Sequence, residues 1–279
     1  MSLIIENVCK TFFSKHKHTN TLNNVNLTVR EGEFVCLLGP SGCGKTTLLN
    51  IIAGIEKTTA GKITLNEKII DKMGPDRAMM FQESALFPWL RVIDNVEFGM
   101  KVAGIAKDER KEKALKYLKM VHLTKFQNSY IHELSGGMKQ RVALARALTL
   151  DSQILLMDEP FAALDSHTRT IMHGELQKIW WKTKKTIIFV THNVDEAVLL
   201  ADRVIVMSAN PCQIRKQYKI DLARPRRPED KNLIYTVSMI MEELKEEVIK
   251  VAKAEYDNDW NNAEDTFLSD INNNLGADI

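Results

Sequence analysis

Cysteine, net charge and long apolar runs are all scarce in this chain of 279 residues. Its four cysteines, Cys9, Cys36, Cys43 and Cys212, form no C-x-x-C pair and no His/Cys cluster at metal-ligand spacing. That excludes a disulfide-stapled scaffold and a zinc site of the common spacings, and it reads as reduced thiols in a cytosolic protein. No window reaches the roughly 18 uncharged apolar residues of a membrane span. The opening "MSLIIENVCK" lacks a basic segment followed by a long apolar core. No secretory leader is therefore expected, and the chain is expected to be soluble on its own. The net charge is only +2, which gives no sign of a polyanion-binding protein overall.

What is present is ordinary globular material, 44% apolar and 27% charged, in a length suited to one large or two small domains. The charge is uneven. Residues 242–279 carry eleven acidic and three basic side chains, net −8, which leaves +10 on residues 1–241. That basic excess suits phosphates or an anionic membrane surface, and equally a solvated basic face.

"LIIENVCKTFF" and "LNNVNLTV" have strand character, and Glu31-Gly32 supplies a turn. "EFVCLLG", "QILLMDE" and "TIIFVTH" are continuous apolar runs, typical of strands buried on both faces. The last two end in polar residues. In open α/β sheets ligands bind at the carboxyl ends of parallel strands, so these tails are expected to converge on one site. Residues 108–123 and 135–150 have helical spacing and read as a helical insertion into an α/β core.

"GPSGCGKTT" fits the phosphate-loop pattern between a strand and a helix. Its residues Gly39, Pro40, Ser41, Gly42, Cys43, Gly44, Lys45, Thr46 and Thr47 are the expected nucleotide-binding set. The glycines free backbone N–H groups for phosphates, Lys45 brings a cation to the β/γ-phosphates, and the Thr46 hydroxyl suits Mg²⁺. In "ILLMDEP", Asp158 is placed to hold magnesium through water and Glu159 to polarise an attacking water. His192 ends a buried strand in the same way. "LSGGMKQR" is a second anion grip, with Ser135 as a helix N-cap before the bare Gly136-Gly137 backbone.

These segments, with Gln82 in "MMFQES" and with "AALD" and "VTH", stand in an order and spacing that resembles an ATP-binding cassette ATPase subunit over roughly residues 1–225. The resemblance implies a P-loop NTPase (RecA-like) core with an N-terminal antiparallel β lead-in and an inserted helical subdomain. It implies that Phe12 stacks on adenine and that Gln82 senses the γ-phosphate and Mg²⁺. Ser135, Gly136 and Gly137 would bind the γ-phosphate of the ATP held by a second copy, and Asp165 would link the two sites. His192 would contact the γ-phosphate and hold the water. The cofactors implied are ATP and Mg²⁺, the assembly a head-to-tail homodimer, and the catalytic residues Glu159, His192, Lys45 and Gln82. Thr46, Gln82 and Asp158 would serve the metal. Ala162-Ala163 replaces the Ser or Gly that many relatives carry there.

"GPDRAMMFQESALFPWLRVIDNVEFGM" and "DLARPRRPED" look more narrowly like the importer ATPases of the nitrate/sulfonate/taurine group. That implies integral-membrane permease subunits, an extracytoplasmic substrate-binding protein, a peripheral position on the inner face of the membrane, and no nucleic acid. A soluble cassette ATPase acting on DNA or ribosomes is the alternative, disfavoured by the single cassette and the lack of a coiled-coil insertion. Domains are expected at 1–86 with 151–224 (nucleotide-binding core), 87–150 (helical signature subdomain) and 225–279 (C-terminal extension). Leu233, Val237, Ile240, Leu244, Val248 and Val251 recur at helical spacing, giving an amphipathic helix with an acidic far side. Beyond Glu255 the acidic, Asn-rich tail is expected to be loosely ordered.

Overall fold

A computed structural model describes residues 2–14, 17–209 and 211–255, so the expectation for the tail after Glu255 lies outside the described residues. The chain divides into two compact units, Met1–Lys72 with Val190–Ile279, and Met73–Phe189.

The first unit opens with an antiparallel sheet, built from β1 (Ser2–Ser14), β2 (Lys17–Arg30), β4 (Ala60–Leu65) and β5 (Lys68–Ile69) in the order β2-β1-β4-β5. Register sets apolar residues opposite one another: Leu3 faces Val29 and Leu65, Ile5 faces Leu27 and Ile63, and Val8 faces Val25. All are buried, so a slip of one residue turns this row to solvent. The ladder shifts between Ile5 and Val8, where Asn7 takes a left-handed φ of 51° and its N–H donates to Asn26 Oδ1 at 2.9 Å. Gly61 passes so close that a Cβ there would lie 2.3 Å from the Asn7 carbonyl oxygen, which leaves room only for glycine.

The wholly buried β3 (Phe34–Leu38) pairs in parallel with β9 (Arg203–Met207), and β10 (Ile214–Lys219) pairs antiparallel with β9. The helices of this unit are α1 (Lys45–Ala53), α6 (Val194–Leu200) and α7 (Lys231–Glu255). The "DLARPRRPED" segment has a structural task. Arg226 is buried and donates to the carbonyls of Val198, Ala201, Ile220 and Leu222, while Arg224 donates to Leu200 O and to Asp202. Together the two guanidiniums satisfy carbonyls at the C-terminal end of α6, where a helix leaves acceptors unpaired. Burial, with Arg224 nearby and Asp202 opposing, pushes Arg226 down to about 10.

The second unit holds β6 (Arg77–Met80), paired in parallel with β7 (Ile154–Asp158), together with α2 (Val92–Val102), α3 (Lys107–Met120), α4 (Gly136–Thr149) and α5 (Ser166–Thr183). Helices α2, α3 and α4 pack on one another, and Val96, Met100, Ala114, Leu118, Val142 and Ala145 on them are buried, in line with the expected helical insertion. Helix α3 stops short of residue 123 because His122 adopts a left-handed φ of 56°. The remaining strand, β8 (Thr186–Thr191), is buried throughout. Among the described residues no helix is long and apolar enough to cross a membrane.

Helix α7 corrects one expectation. Leu233, Val237, Ile240 and Leu244 are buried as the spacing implies, and α7 packs on α6, but the next buried position is Glu247, with Val248 only half-buried. The acidic side is not the far side. Arg215 on β10 donates to Glu243 at 2.5 Å and also to Glu246 and Glu247, and Glu247 further accepts from Lys250 and the Ala209 N–H. Arg215 and Lys216 hold Glu243 below its ordinary value. For Glu247, burial pushes up, but Lys250, the Ala209 N–H and Arg215 outweigh it.

Lowered carboxylates stabilise the fold above their unfolded pKa and cease to as pH falls through the folded values. Arg215→Ala is expected to cost about 2 kcal/mol at pH 7. In paired thermal melts the gap between variant and wild type should persist down to the ordinary carboxylate value of 4.5 and close below it.

Candidate nucleotide site

In the first unit, β3 delivers the chain into the loop Gly39–Gly44 and then into α1. Gly44 takes φ 115° as the N-cap of α1, and no side chain caps the helix there. Crowding forces glycine as well: a Cβ on Gly44 would meet Thr21, Leu22 and Cys212 at 3.0–3.2 Å. Lys45 is only 5% exposed, and its ammonium donates to the carbonyls of Gly39 at 2.8 Å and Pro40 at 2.7 Å, with Cys43 Sγ at 3.8 Å. A buried cation ringed by loop carbonyls, beside a helix start without a side-chain cap, fits a polyphosphate. Thr46 and Thr47 follow in the first turn of α1. The neighbouring Cys212 thiol and the Lys45 ammonium lower the Cys43 thiol from its ordinary value, against burial.

His192 stands exposed between buried β8 and α6. Asn193 caps α6 by accepting the Glu196 N–H at 2.9 Å, and its own N–H donates to Thr191 Oγ1. With Arg224 and Arg226 at the other end, α6 is fixed at both termini, and His192 is carried on that rigid mount. Phe12, on β1, is 41% exposed, and the Lys10 ammonium lies 4.7 Å from its ring centroid.

In the second unit, Asp158 is buried at the end of β7, and Glu159 follows with a left-handed φ of 43°. A non-glycine residue held there is strained, and such strain concentrates at functional sites. Ser135 caps α4 by accepting the Met138 N–H at 3.3 Å. Gly136 is open around its Cα, whereas a Cβ on Gly137 would come within 3.1 Å of Leu164. Asp165 caps α5 by accepting the Thr168 N–H at 2.9 Å, which also holds its carboxyl below the ordinary range. The signature glycines and the "AALD" segment thus meet through the Gly137–Leu164 contact.

Gln82 is exposed on the loop after β6, and its carbonyl accepts from Gln140 Nε2 at 3.1 Å. Arg146, one and a half turns further along α4, donates to Ser84 O at 3.0 Å and Ala85 O at 2.8 Å. The signature helix therefore grips the glutamine loop by its backbone. Asn95 anchors the far end, accepting the Phe87 N–H at 2.8 Å and donating to the carbonyls of Phe87, Leu90 and Arg91.

Residues 22–162 match the ABC transporter family. An uncharacterized ABC transporter ATP-binding protein of Methanocaldococcus jannaschii, MJ0412, is 50% identical over 91% of this chain and 95% of its own length. The chain belongs to the ABC transporter family. The nitrate import ATP-binding protein of Synechocystis is 46% identical, over 80% of this chain and 84% of its own. Among solved structures, the ATP-binding cassette MJ0796, a dimer in a post-hydrolysis state bound to ADP and Pi, superposes with a TM-score of 0.73 at 34% identity. The match covers 79% of this chain and all of that one. The fold of this ABC protein is accordingly that of a P-loop NTPase cassette, and its family is one that binds and hydrolyses ATP.

Sequence reasoning missed Gln140, Arg146, Asn95 and the paired Arg224 and Arg226. Each is a long or amide side chain whose partner is a backbone carbonyl, and a carbonyl leaves no trace in residue identity. The only signal was position, since Gln140 and Arg146 lie six residues apart on a helix adjoining a motif.

Gln140→Ala in this ABC protein is expected to lower kcat for ATP about tenfold, the equivalent of ~1.4 kcal/mol, by releasing the Gln82 carbonyl. KM for ATP should stay within about twofold, because the phosphate loop is untouched. Steady-state ATPase assays with a melting control separate this from a loss of folding.

Proposed function

We propose that this chain is the ATP-hydrolysing subunit of an importer for a small anion or organic solute, of the kind represented by nitrate, sulfonates and taurine. One observation carries the reading. Trp89 is 71% exposed on the loop that follows Gln82. Its neighbour Phe87 packs on Phe98 with centroids 4.4 Å apart, and the Arg146 guanidinium lies 5.8 Å from the Phe87 ring. An exposed tryptophan on a rigid mount, tied by α4 to the glutamine loop, suits a partner helix that must feel the nucleotide state. The name of the Synechocystis relative supports import in particular.

Residues divide by role into a nucleotide-binding core at 1–86 and 151–224, a helical signature subdomain at 87–150 and a C-terminal extension at 225–279. ATP is the substrate. The backbone of residues 39–47 and the Lys45 ammonium hold its phosphates, and Phe12 stacks on the adenine. Among the described residues no cluster of three or more His, Cys, Asp or Glu forms a metal cage. A hydroxyl, an amide and a carboxylate (Thr46, Gln82 and Asp158) are hard oxygen donors that suit Mg²⁺, which takes few protein ligands beside phosphate oxygens. When bound, Mg²⁺ neutralises phosphate charge as the γ-phosphoryl group transfers to water.

Glu159 orients the attacking water and accepts its proton, and His192 holds that water against the γ-phosphate. Ser135, Gly136 and Gly137 of a second copy complete the γ-phosphate shell, and Asp165 links the two sites, so that two molecules related by a two-fold axis enclose two nucleotides. Closure follows from tighter binding of ATP than of ADP between the copies. The dimer sits on the inner face of the membrane against permease subunits, and an external binding protein supplies the solute.

Glu159→Gln should retain ATP binding, lose at least about 100-fold in kcat and accumulate as a dimer in size-exclusion chromatography; unchanged turnover would remove Glu159 as the base. Lys45→Ala and Ser135→Arg chains, each inactive alone, should regain one working site per heterodimer on mixing. Trp89→Ala should keep basal ATPase and lose its stimulation by the co-purified permease. Stimulation as in wild type would sink the interface assignment.

A further inference from the structure

The side of α7 turned away from the core is apolar in its middle. At roughly 100° per residue, Lys231, Tyr235, Ser238 and Glu242 form a straight stripe on the side opposite the buried Leu233, Val237, Ile240 and Leu244. All four members of the stripe are exposed. Ile234 and Met239 flank it, one on either side. Tyr235, Ile234 and Met239 are 69%, 52% and 46% exposed, and three large apolar side chains grouped on one outward helix face mark an interaction surface.

The two ends of the stripe say what fits it. Lys231 stands in the first turn of α7, which holds no acidic residue, and Glu242 follows about three turns later. That polarity runs against the helix dipole, which favours acids at the start and bases at the end. A second α7 laid antiparallel resolves the conflict. About a two-fold axis between Thr236 and Val237, Lys231 of each copy falls opposite Glu242 of the other, and Tyr235 falls opposite Ser238. The Ser238 hydroxyl already donates to the Ile234 carbonyl at 3.0 Å, so this small residue offers a satisfied notch for an aromatic knob. Lys245 and Glu246 lie beyond the overlap. The face is complementary to itself in charge and in shape, which is what an isologous pair requires.

We propose that the chain pairs with a second copy of itself through this face of α7, with no nucleotide required. Two helix faces of this length bury less than about 1,200 Å², the range of weak and transient contacts, so a dissociation constant on the order of 10 µM is expected. The pairing does not depend on the import role proposed above. Where the same two copies also share an ATP-bridged contact, it keeps them at high effective concentration once the nucleotide is spent.

Sedimentation velocity of the nucleotide-free, full-length protein in EDTA, over ~1–100 µM, reads the association directly. Wild type is expected to pass from monomer to dimer across that range. Lys231→Glu and Glu242→Lys each set two pairs of like charges against one another and should weaken self-association at least about tenfold. An equimolar mixture of the two variants puts opposite charges back at both pairs, as does the double variant, and both should dimerise like wild type. The two positions are exposed, and melting curves check that each variant is folded. The proposal is overturned by a wild type that stays monomeric throughout, as it would with any other occupant on this face. It is equally overturned if either single reversal leaves the association unchanged, or if the mixture and the double variant remain monomeric. Failure of the wild type to bind or hydrolyse ATP would count against the proposed function alone, because none of these sedimentation results involves nucleotide.

Discussion

A single buried ammonium group, at the start of α1, organises the first unit. Burying the Lys45 charge is costly unless polar partners surround it, and the loop supplies them by turning the Gly39 and Pro40 carbonyls inward. That turn needs the left-handed geometry of Gly42 and Gly44, and the buried wall of Thr21, Leu22 and Cys212 presses on Gly44 from behind. A loop so arranged holds a buried ammonium beside a helix start lacking a side-chain cap. That pairing is what suits the loop to the polyphosphate role proposed for it.

A second theme is how the loops bearing chemistry are kept still. The apolar core does little of this directly. Long polar side chains reach back to carbonyls instead: Gln140 and Arg146 to the glutamine loop, Asn95 to the turn beyond it, and Arg224 and Arg226 to the end of the helix that follows His192. Each leaves few buried carbonyls unsatisfied, and each links a motif to a rigid helix. The grip of α4 on the glutamine loop bears on coupling, since one helix carries residues 135–137, proposed to bind phosphate, and also fixes the loop that leads to Trp89.

The acidic cage around Arg215 extends this logic to the C-terminal extension. Glu247 joins α7 to β10 and, through the Ala209 N–H, to the segment that carries Cys212. The extension is thus tied to β10 and to residue 209, and the Arg215 guanidinium explains why a charged residue occupies a core position in an otherwise regular amphipathic helix.

Much of this was legible from residue order alone, and for a definite reason. The apolar runs at 34–38, 154–157 and 187–190 are legible as buried strands because they are short, unbroken and bounded by polar residues or glycine, and the phosphate loop is recognisable by its spaced glycines and lysine. The α3 and α4 positions followed from helical spacing, and the family from the order of six motifs. Tertiary structure decided what depends on a partner distant in sequence. Glu247 displaced Val248 from the buried stripe because Arg215, 32 residues away, offered it a guanidinium. The Gln82 loop found its tethers 58 to 62 residues downstream, and Gly44 met Cys212 only because β2 holds the latter in place. Local periodicity records which face of an element is apolar. It carries no record of which backbone carbonyl, carboxylate or thiol folding brings alongside.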